Sequence, residues 1–141
     1  MNPPPISLHA LRKALDALAS ARRYWLDEPP ESGRKPHLRA GVVQSFEFSY
    51  ELAVRCLRRV LMERAAVAPQ VADLSFNDLL RAGADAGLLD DPLGWRRWRE
   101  LRNRTSHAYD EGQAQSIAES TADFLPEAVS LLQRLEGALA R

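Results

Sequence analysis

Apolar positions recur at helical spacing from the start of the chain. Leucines return every three or four residues from Leu8 to Leu18, and Ser7 stands where a helix cap is expected. This pattern predicts a first amphipathic helix that ends near Trp25. Prolines and a glycine in residues 27–36 remove backbone donors and fix turns, so a surface loop is predicted there.

The segment from His37 to Arg64 has no proline, and its apolar residues keep helical spacing. It is predicted to form the longest helix. Gly41 weakens the first turns of this helix relative to alanine, and we expect another helix to pack closely against it. Residues 65–74, which contain Pro69, are predicted to be a linker.

Cap and turn residues divide the second half of the chain. Ser75, followed three residues later by Asp78, resembles a capping box and predicts a short helix that stops at Gly87. Asp91 then offers a cap, and Pro92 a first-turn proline, for the next helix.

A final helix is predicted from Gln113 to Leu139, with Pro126 kinking or splitting it. Its expected buried side consists of Ile117, Phe124, Val129, Leu132 and Leu135. No segment combines strict alternation with β-branched residues, so no strand is predicted. The chain is therefore expected to be all-α, an up-and-down bundle of about five helices, in a single domain of residues 1–141 with a flexible arm at 1–6.

The charges of the chain cancel, because it has 19 basic and 19 acidic residues. Any attraction for nucleic acid must therefore be local. The single cysteine, Cys56, cannot form an internal disulfide, and no apolar run is long enough for a signal peptide or a transmembrane helix. We expect a cytoplasmic protein that does not bind membranes.

Residues 95–110 concentrate chemically active side chains, with five arginines among the first ten residues. Arginine and tryptophan together can clamp phosphates and stack bases, as in proteins that bind single strands. The alternative is an amphipathic helix that buries Trp95 and Trp98 and exposes its arginines, and residue type alone favours this alternative.

His107 is the best acid–base candidate. A histidine can take the proton from a ribose 2′-hydroxyl at neutral pH, while Arg102 neutralises the phosphate and Asn103 or Ser106 donates hydrogen bonds. These are the groups that metal-independent RNA cleavage requires, and Arg99 is a further candidate for binding the substrate. On an ideal helix Arg102 and His107 lie about 140° apart. Either the helix breaks near Thr105, or a dimer completes the site.

Other chemistries lack their residues. The sequence has no paired cysteines or closely spaced histidines for zinc, no glycine-rich phosphate loop and no serine in a nucleophile elbow. We therefore expect no metal and no cofactor. Glu47 and Glu51 lie four residues apart on the long helix and could bind a metal or orient an arginine, and both are candidates for binding a substrate. The simpler interpretation is a solvated or ion-paired helix face.

Two stretches together resemble the nucleotidyltransferase substrate binding protein family. Residues 41–53, GVVQSFEFSYELA, are similar to its long-helix signature, although relatives commonly continue with Trp-Lys where this chain has Val-Arg. The remaining signature follows in the same order, with residues 82–91, then Trp95, then residues 102–111. The resemblance extends over residues 38–135.

The resemblance implies membership of the HEPN superfamily, whose helical bundles usually dimerise and are typically encoded beside a minimal nucleotidyltransferase. In many HEPN proteins an arginine, four to six intervening residues and a histidine form a ribonuclease site, and in the toxin branch the partner can attach nucleotides to a following tyrosine. These roles fall on Arg102, His107 and Tyr109, with Asn103 as the polar residue after the arginine. The simpler alternative for Tyr109 is a buried tyrosine with one hydrogen bond.

The function implied is a HEPN component of a two-protein system with a separate nucleotidyltransferase: a homodimeric, toxin-like ribonuclease acting on RNA without a metal. The alternative is a non-catalytic subunit that presents a nucleotide or another substrate to the transferase. A third is a helical interaction module in which Arg102 and His107 are structural. The chain lacks the Gly-Ser and paired aspartates of the transferases, so it is not expected to transfer nucleotides itself.

Overall fold

A computed structural model describes residues 6–140, and within them the chain forms six α-helices, one short 3₁₀ turn and no strand. The helices are α1 (His9–Asp27), α2 (Lys35–Arg64), α3 (Ala68–Ala72), α4 (Phe76–Asp85), α5 (Pro92–Arg104) and α6 (Glu111–Leu139). The all-α prediction is confirmed. Most of the predicted arm lies outside the described residues, whereas its last residue, Ile6, packs against the core.

The helix missed in the sequence lies inside the predicted linker. Pro69 occupies the second position of α3, where a proline does not cost a helical hydrogen bond, so it begins a helical turn instead of preventing one. Arg58 fixes this segment to α2 by donating to the carbonyl oxygens of Val71 and Leu74, both at 3.0 Å.

Two of the three predicted helix caps are confirmed. Ser75 and Asp91 cap α4 and α5, each accepting a hydrogen bond from the backbone N–H three residues ahead, at 3.2 and 3.0 Å. The prediction for Ser7 is wrong, because Leu8 is the N-cap residue of α1 and makes no side-chain cap. The Ser7 hydroxyl instead accepts from the N–H of His9 at 3.3 Å.

The close contact expected at a glycine occurs, but at a different glycine. A Cβ added to Gly41 would meet nothing within 4 Å, so the prediction of tight packing there is wrong. At Gly83 on α4 a Cβ would lie 3.2 Å from Leu57 Cδ1 and 3.1 Å from Leu89 Cδ1. Gly83 therefore lets α4 approach α2 closely.

Gly87 ends α4, as predicted. Its φ is +77°, a conformation that glycine adopts without the penalty of a Cβ. The N–H of Gly87 donates to Ala84 O at 3.0 Å, and the N–H of Leu88 donates to Gly83 O at 2.9 Å. This pair of bonds is the Schellman pattern, which satisfies the last carbonyl groups of the helix.

An aromatic cluster joins α2, α5 and α6 in the core. Phe124 is fully buried, and its ring centroid lies 4.9 Å from Phe46, 5.4 Å from Trp98 and 6.0 Å from Trp95, all in edge-to-face geometry. These contacts fix α5 against the other two helices, and the end of α5 carries the residues of chemical interest.

The last helix is continuous through Pro126, so of the predicted kink or split the split does not occur. Pro126 is exposed, whereas Phe124 and Ala128 on either side of it are fully buried. Packing on both sides of the proline therefore holds the helix together. Of the predicted buried positions only Val129 is half-exposed; Ile117, Phe124, Leu132 and Leu135 are buried.

Candidate functional site

The tryptophans of α5 belong to the core and not to a surface for stacking bases. Trp98 is 1% exposed and Trp95 is 3% exposed. The indole N–H of Trp98 donates to the carboxylate of Glu127, which satisfies its polar group. The interpretation of α5 as an amphipathic helix with buried tryptophans is therefore correct, and any RNA contact from this helix must come from other side chains.

The helix breaks at Thr105, which was one of the two alternatives predicted from helical geometry. α5 ends at Arg104, and residues Thr105–His107 form a 3₁₀ turn. The buried Thr105 hydroxyl donates to Arg102 O at 2.7 Å and accepts from Arg102 Nη1 at 3.1 Å. One side chain thus ends the regular helix and also holds the guanidinium of Arg102.

Glu51 holds Arg102 from the other side. Its Oε1 accepts from Arg102 Nε at 3.1 Å and from Nη2 at 2.7 Å. The hydrogen bond to Glu51 raises the pKa of Arg102, burial opposes that rise, and the charge of Glu47 adds to it. Glu51 is therefore ion-paired and orients an arginine, an outcome that both interpretations of the glutamates included.

Tyr50 is a neighbour of this pair that the sequence argument did not single out. It is buried on α2 beside Glu51, and burial raises the pKa of its phenol to about 12, although the positive charges of Arg99 and Arg102 act to lower it. In the sequence it stands within the stretch of residues 41–53, where no separate role was predicted for it. The available signal was its position directly before a glutamate on the long helix.

The other residues predicted around Arg102 are exposed, Asn103 on the last turn of α5 and Ser106 and His107 on the 3₁₀ turn. The Ser106 hydroxyl donates to Asn103 O at 3.1 Å. Within residues 6–140, no hydrogen bond or ion pair joins His107 to Arg102. His107 therefore lies five residues after Arg102 in the sequence, and its ring is open to solvent.

Tyr109 is not the buried tyrosine of the simpler interpretation. It is 84% exposed, the largest exposed fraction among the exposed large apolar side chains of the described residues. Its ring centroid lies 6.1 Å from that of His107, in tilted edge geometry. A second protein can reach its hydroxyl without rearrangement of the bundle.

Arg99, the other predicted substrate residue, lies on an exposed part of α5. Its guanidinium carbon is 4.9 Å from the centre of the Phe76 ring, a cation–π contact with α4. Arg104 is occupied differently, because Gln113 Oε1 accepts from it at 2.9 and 3.0 Å and Ser116 at 3.0 Å. Arg104 therefore holds the start of α6 to the end of α5.

In the part of the chain that the structure describes, no three His, Cys, Asp or Glu side chains are grouped as a metal site would need. No helix of residues 6–140 is both long enough and apolar enough to cross a bilayer. The arrangement offers a held guanidinium, an exposed imidazole, polar groups on a turn, and an exposed phenol.

Comparisons with known proteins identify the family. A family model described as "Nucleotidyltransferase substrate binding protein like" matches residues 6–137. The chain belongs to that family. The resemblance predicted from residues 41–53 and 102–111 is therefore confirmed.

Two proteins similar to this chain come from Haemophilus influenzae. A protein named "Probable ribonuclease HepT" is 37% identical over 113 residues, which cover 80% of this chain and 77% of that protein. A solved structure, described as the fold of a substrate binding domain of a nucleotidyltransferase, is 32% identical with a TM-score of 0.84. The matched region covers 92% of this chain and 99% of the solved chain, so the two chains share one fold over nearly their whole length.

Proposed function

We propose that this protein is a ribonuclease that cleaves RNA without a metal ion and works in a two-protein system with a separate nucleotidyltransferase. The observation that carries the proposal is the guanidinium of Arg102, held between Glu51 and Thr105 at the foot of a turn that exposes His107. The name of the 37% identical relative, a probable ribonuclease, supports it. We place the protein in the cytoplasm, where RNA is available.

Arg102 is suited to bind the scissile phosphate. It donates three hydrogen bonds, to Glu51 through Nε and Nη2 and to Thr105 through Nη1. Each Nη carries two N–H groups, so one donor on each remains for the oxygens of a phosphate. Holding the fork in place before the substrate arrives lowers the ordering cost of binding.

His107 acts as the general base in this proposal. It takes the proton of a ribose 2′-hydroxyl, the 2′-oxygen forms a bond to phosphorus, and the bond from phosphorus to the 5′-oxygen breaks. The leaving oxygen takes a proton from water. The products are a 2′,3′-cyclic phosphate and a 5′-hydroxyl, while Arg102 and donors from Asn103 or Ser106 stabilise the charge that develops on phosphate.

Tyr109 is proposed as the residue that the transferase modifies. Its exposed phenol lies beside His107. An attached nucleotide would therefore place bulk and negative charge at the 3₁₀ turn Thr105–His107, which we call the proposed active turn. The phosphate of that nucleotide would compete for the donors of Arg102 that RNA needs. Modification should therefore silence cleavage without unfolding the protein.

A homodimer remains a prediction that the exposed surface supports. Phe48 on α2 is 58% exposed and lies three residues before Glu51, so an apolar contact is available next to the proposed site. An isologous dimer through this surface would bring two copies of the site together.

A non-catalytic substrate-binding subunit is the competing function. It is favoured by the ion pair with Glu51, which gives Arg102 a structural partner, and by the description of the 32% identical solved structure. In that function His107 has no chemical task, so the two proposals differ in the effect of its removal.

The test is cleavage of a single-stranded RNA by purified protein, with His107→Ala and Arg102→Gln as the variants. Both are expected to lose at least about a hundredfold in rate, the usual effect of removing a general base or a charge-stabilising donor. His9→Ala is the matched control, because His9 is an exposed histidine on another helix. Equal cleavage by the His107→Ala and His9→Ala variants, or none by any protein, would favour the binding subunit.

A further inference from the structure

A cleft next to the proposed active turn has no assigned role. It lies between the first half of α2 and the junction of α5 with α6, and its volume is about 210 Å³. The walls include Arg39, Ala40 and Glu47 on α2, and Ala108 and Ala114 on the opposite side. We call it the α2 cleft.

Arg39 is the cationic group of the α2 cleft, and its hydrogen bonding is incomplete. Its Nη1 donates to Gln115 Oε1 at 3.3 Å, and its Nε is buried without a partner. No ion pair of the described residues includes it. The buried Nε is out of reach of a ligand, but Nη2 and the second N–H of Nη1 make no hydrogen bond within the described residues and remain as donors for an anion.

The neighbouring side chains keep this guanidinium in place. Gln115 Nε2 donates to Glu119 Oε1 at 2.8 Å, which leaves the Gln115 oxygen facing Arg39. Among the described residues, the lining of the α2 cleft carries one cation, Arg39, and one carboxylate, Glu47, eight residues and so about 12 Å apart along α2, so the end at Arg39 is the one that suits an anion.

The α2 cleft is continuous with the proposed active site. Ala108, in its wall, directly follows His107, and consecutive Cα atoms are about 3.8 Å apart. At its other end, Glu47 is close enough to Arg102 for its charge to raise the pKa of that guanidinium. A strand held at Arg102 therefore has the α2 cleft beside it.

We propose that the α2 cleft binds a second phosphate of the RNA strand, with Arg39 as its ligand. Arg39 lies twelve residues before Glu51 on α2, about 18 Å along the helix, so this phosphate is a few nucleotides from the one held at Arg102. The small side chains of Ala40, Ala108 and Ala114 leave room for the adjoining ribose. The inference rests on the proposed ribonuclease function and adds a second phosphate position to it.

Binding measurements test the α2 cleft apart from catalysis. A fluorescent oligouridine about eight nucleotides long, a length typical of single-strand sites, is titrated with the His107→Ala protein and followed by anisotropy. Adding Arg39→Gln is expected to weaken binding roughly tenfold and to reduce the slope of log affinity against log salt by about 0.7, the value for one phosphate contact on a single strand. Ala40→Leu, which fills the exposed wall without changing charge, should also weaken binding.

Matched controls remove the same charge and add the same bulk elsewhere. Arg55→Gln changes an exposed arginine on α2, sixteen residues away and so about 24 Å along the helix and nearly opposite in direction. Ala17→Leu adds the same side chain on the exposed face of α1. Both controls should bind RNA as the parent does.

Three results would overturn the inference: equal affinity of the Arg39→Gln and Arg55→Gln proteins, no binding of the oligouridine, or an Arg39-dependent affinity for ATP with none for RNA. These results are distinguishable from failure of the proposed function. Cleavage that depends on His107 but not on Arg39 would contradict only the α2 cleft, whereas RNA binding at Arg39 without cleavage would contradict only the ribonuclease.

Discussion

Thr105 is the residue at which α5 stops being a regular helix. Its hydroxyl both accepts from Arg102 Nη1 and donates to Arg102 O, so helix end and guanidinium position depend on one oxygen. A threonine in this place is well suited to the task, because its hydroxyl can bond to the backbone three residues earlier and so compete with helical hydrogen bonding.

Thr105→Val should separate shape from hydrogen bonding. The substitution keeps the volume and removes the hydroxyl, so we expect a loss of about 1 kcal/mol in unfolding free energy and a fall in RNA cleavage because Arg102 is less well held. Thr105→Ser keeps the oxygen and should retain most of the activity. Urea denaturation measures the first effect and initial rates measure the second. A Val variant as active as the Ser variant would show that Thr105 does not position Arg102.

The contacts that single side chains make were the feature of the structure that the sequence predicted least well. Arg102 and His107 were named from a local pattern and Tyr109 from the family resemblance. The partner of Arg102, however, lies 51 positions away on α2. Nothing in the spacing of Glu51 distinguished a solvated face from a contact with α5, because that depends on how two helices pack. The exposure of Tyr109 likewise follows from where the turn leaves the bundle.

At the scale of elements, the helices followed from local rules where a cap or a stop was present. Ser75, Asp91 and Gly87 act as predicted because their side chains or φ angles work within a few residues. The errors arose where packing overrides local preference. α6 passes through Pro126, and Gly41 faces open space although Gly83 is the glycine in close contact.

Two glycine substitutions should change the stability of the fold in opposite directions. Gly87→Ala places a Cβ at a φ of +77°, which costs about 1–2 kcal/mol, so the variant should be less stable. Gly41→Ala adds a methyl group where nothing lies within 4 Å and improves helix propensity by up to about 1 kcal/mol. Thermal unfolding by circular dichroism compares the two. A destabilised Gly41→Ala protein would mean that this surface of α2 is covered by another molecule, such as a second copy.

At the scale of the whole molecule, the bundle presents the proposed active turn and Tyr109 on its surface, where another protein can reach them. The chain has no net charge, so recognition of RNA or of a transferase depends on local groups and not on the overall field. The family model matches residues 6–137, so the turn lies within the matched region and is not an appended segment.

Modification by the transferase is the first prediction at this scale. Incubation with the cognate transferase, ATP and magnesium should raise the intact mass by one or more adenylyl units and lower RNA cleavage, with the circular dichroism spectrum unchanged. Tyr109→Phe should prevent the mass increase. Tyr24→Phe is the control, because Tyr24 is also well exposed but lies on α1. A mass increase that persists in the Tyr109→Phe protein would refute the assignment of this residue.

The chemical groups at the ends of the RNA fragments test whether this protein cleaves RNA without a metal and with His107 as the base. Purified protein is incubated with a defined single-stranded RNA in excess EDTA. His107→Ala protein, purified in the same way, is treated in parallel, and the masses of the products are measured by mass spectrometry. The account predicts cleavage by the parent protein alone, with fragments ending in a 2′,3′-cyclic phosphate and beginning with a 5′-hydroxyl. Fragments beginning with a 5′-phosphate, cleavage that EDTA abolishes, or intact RNA would contradict it.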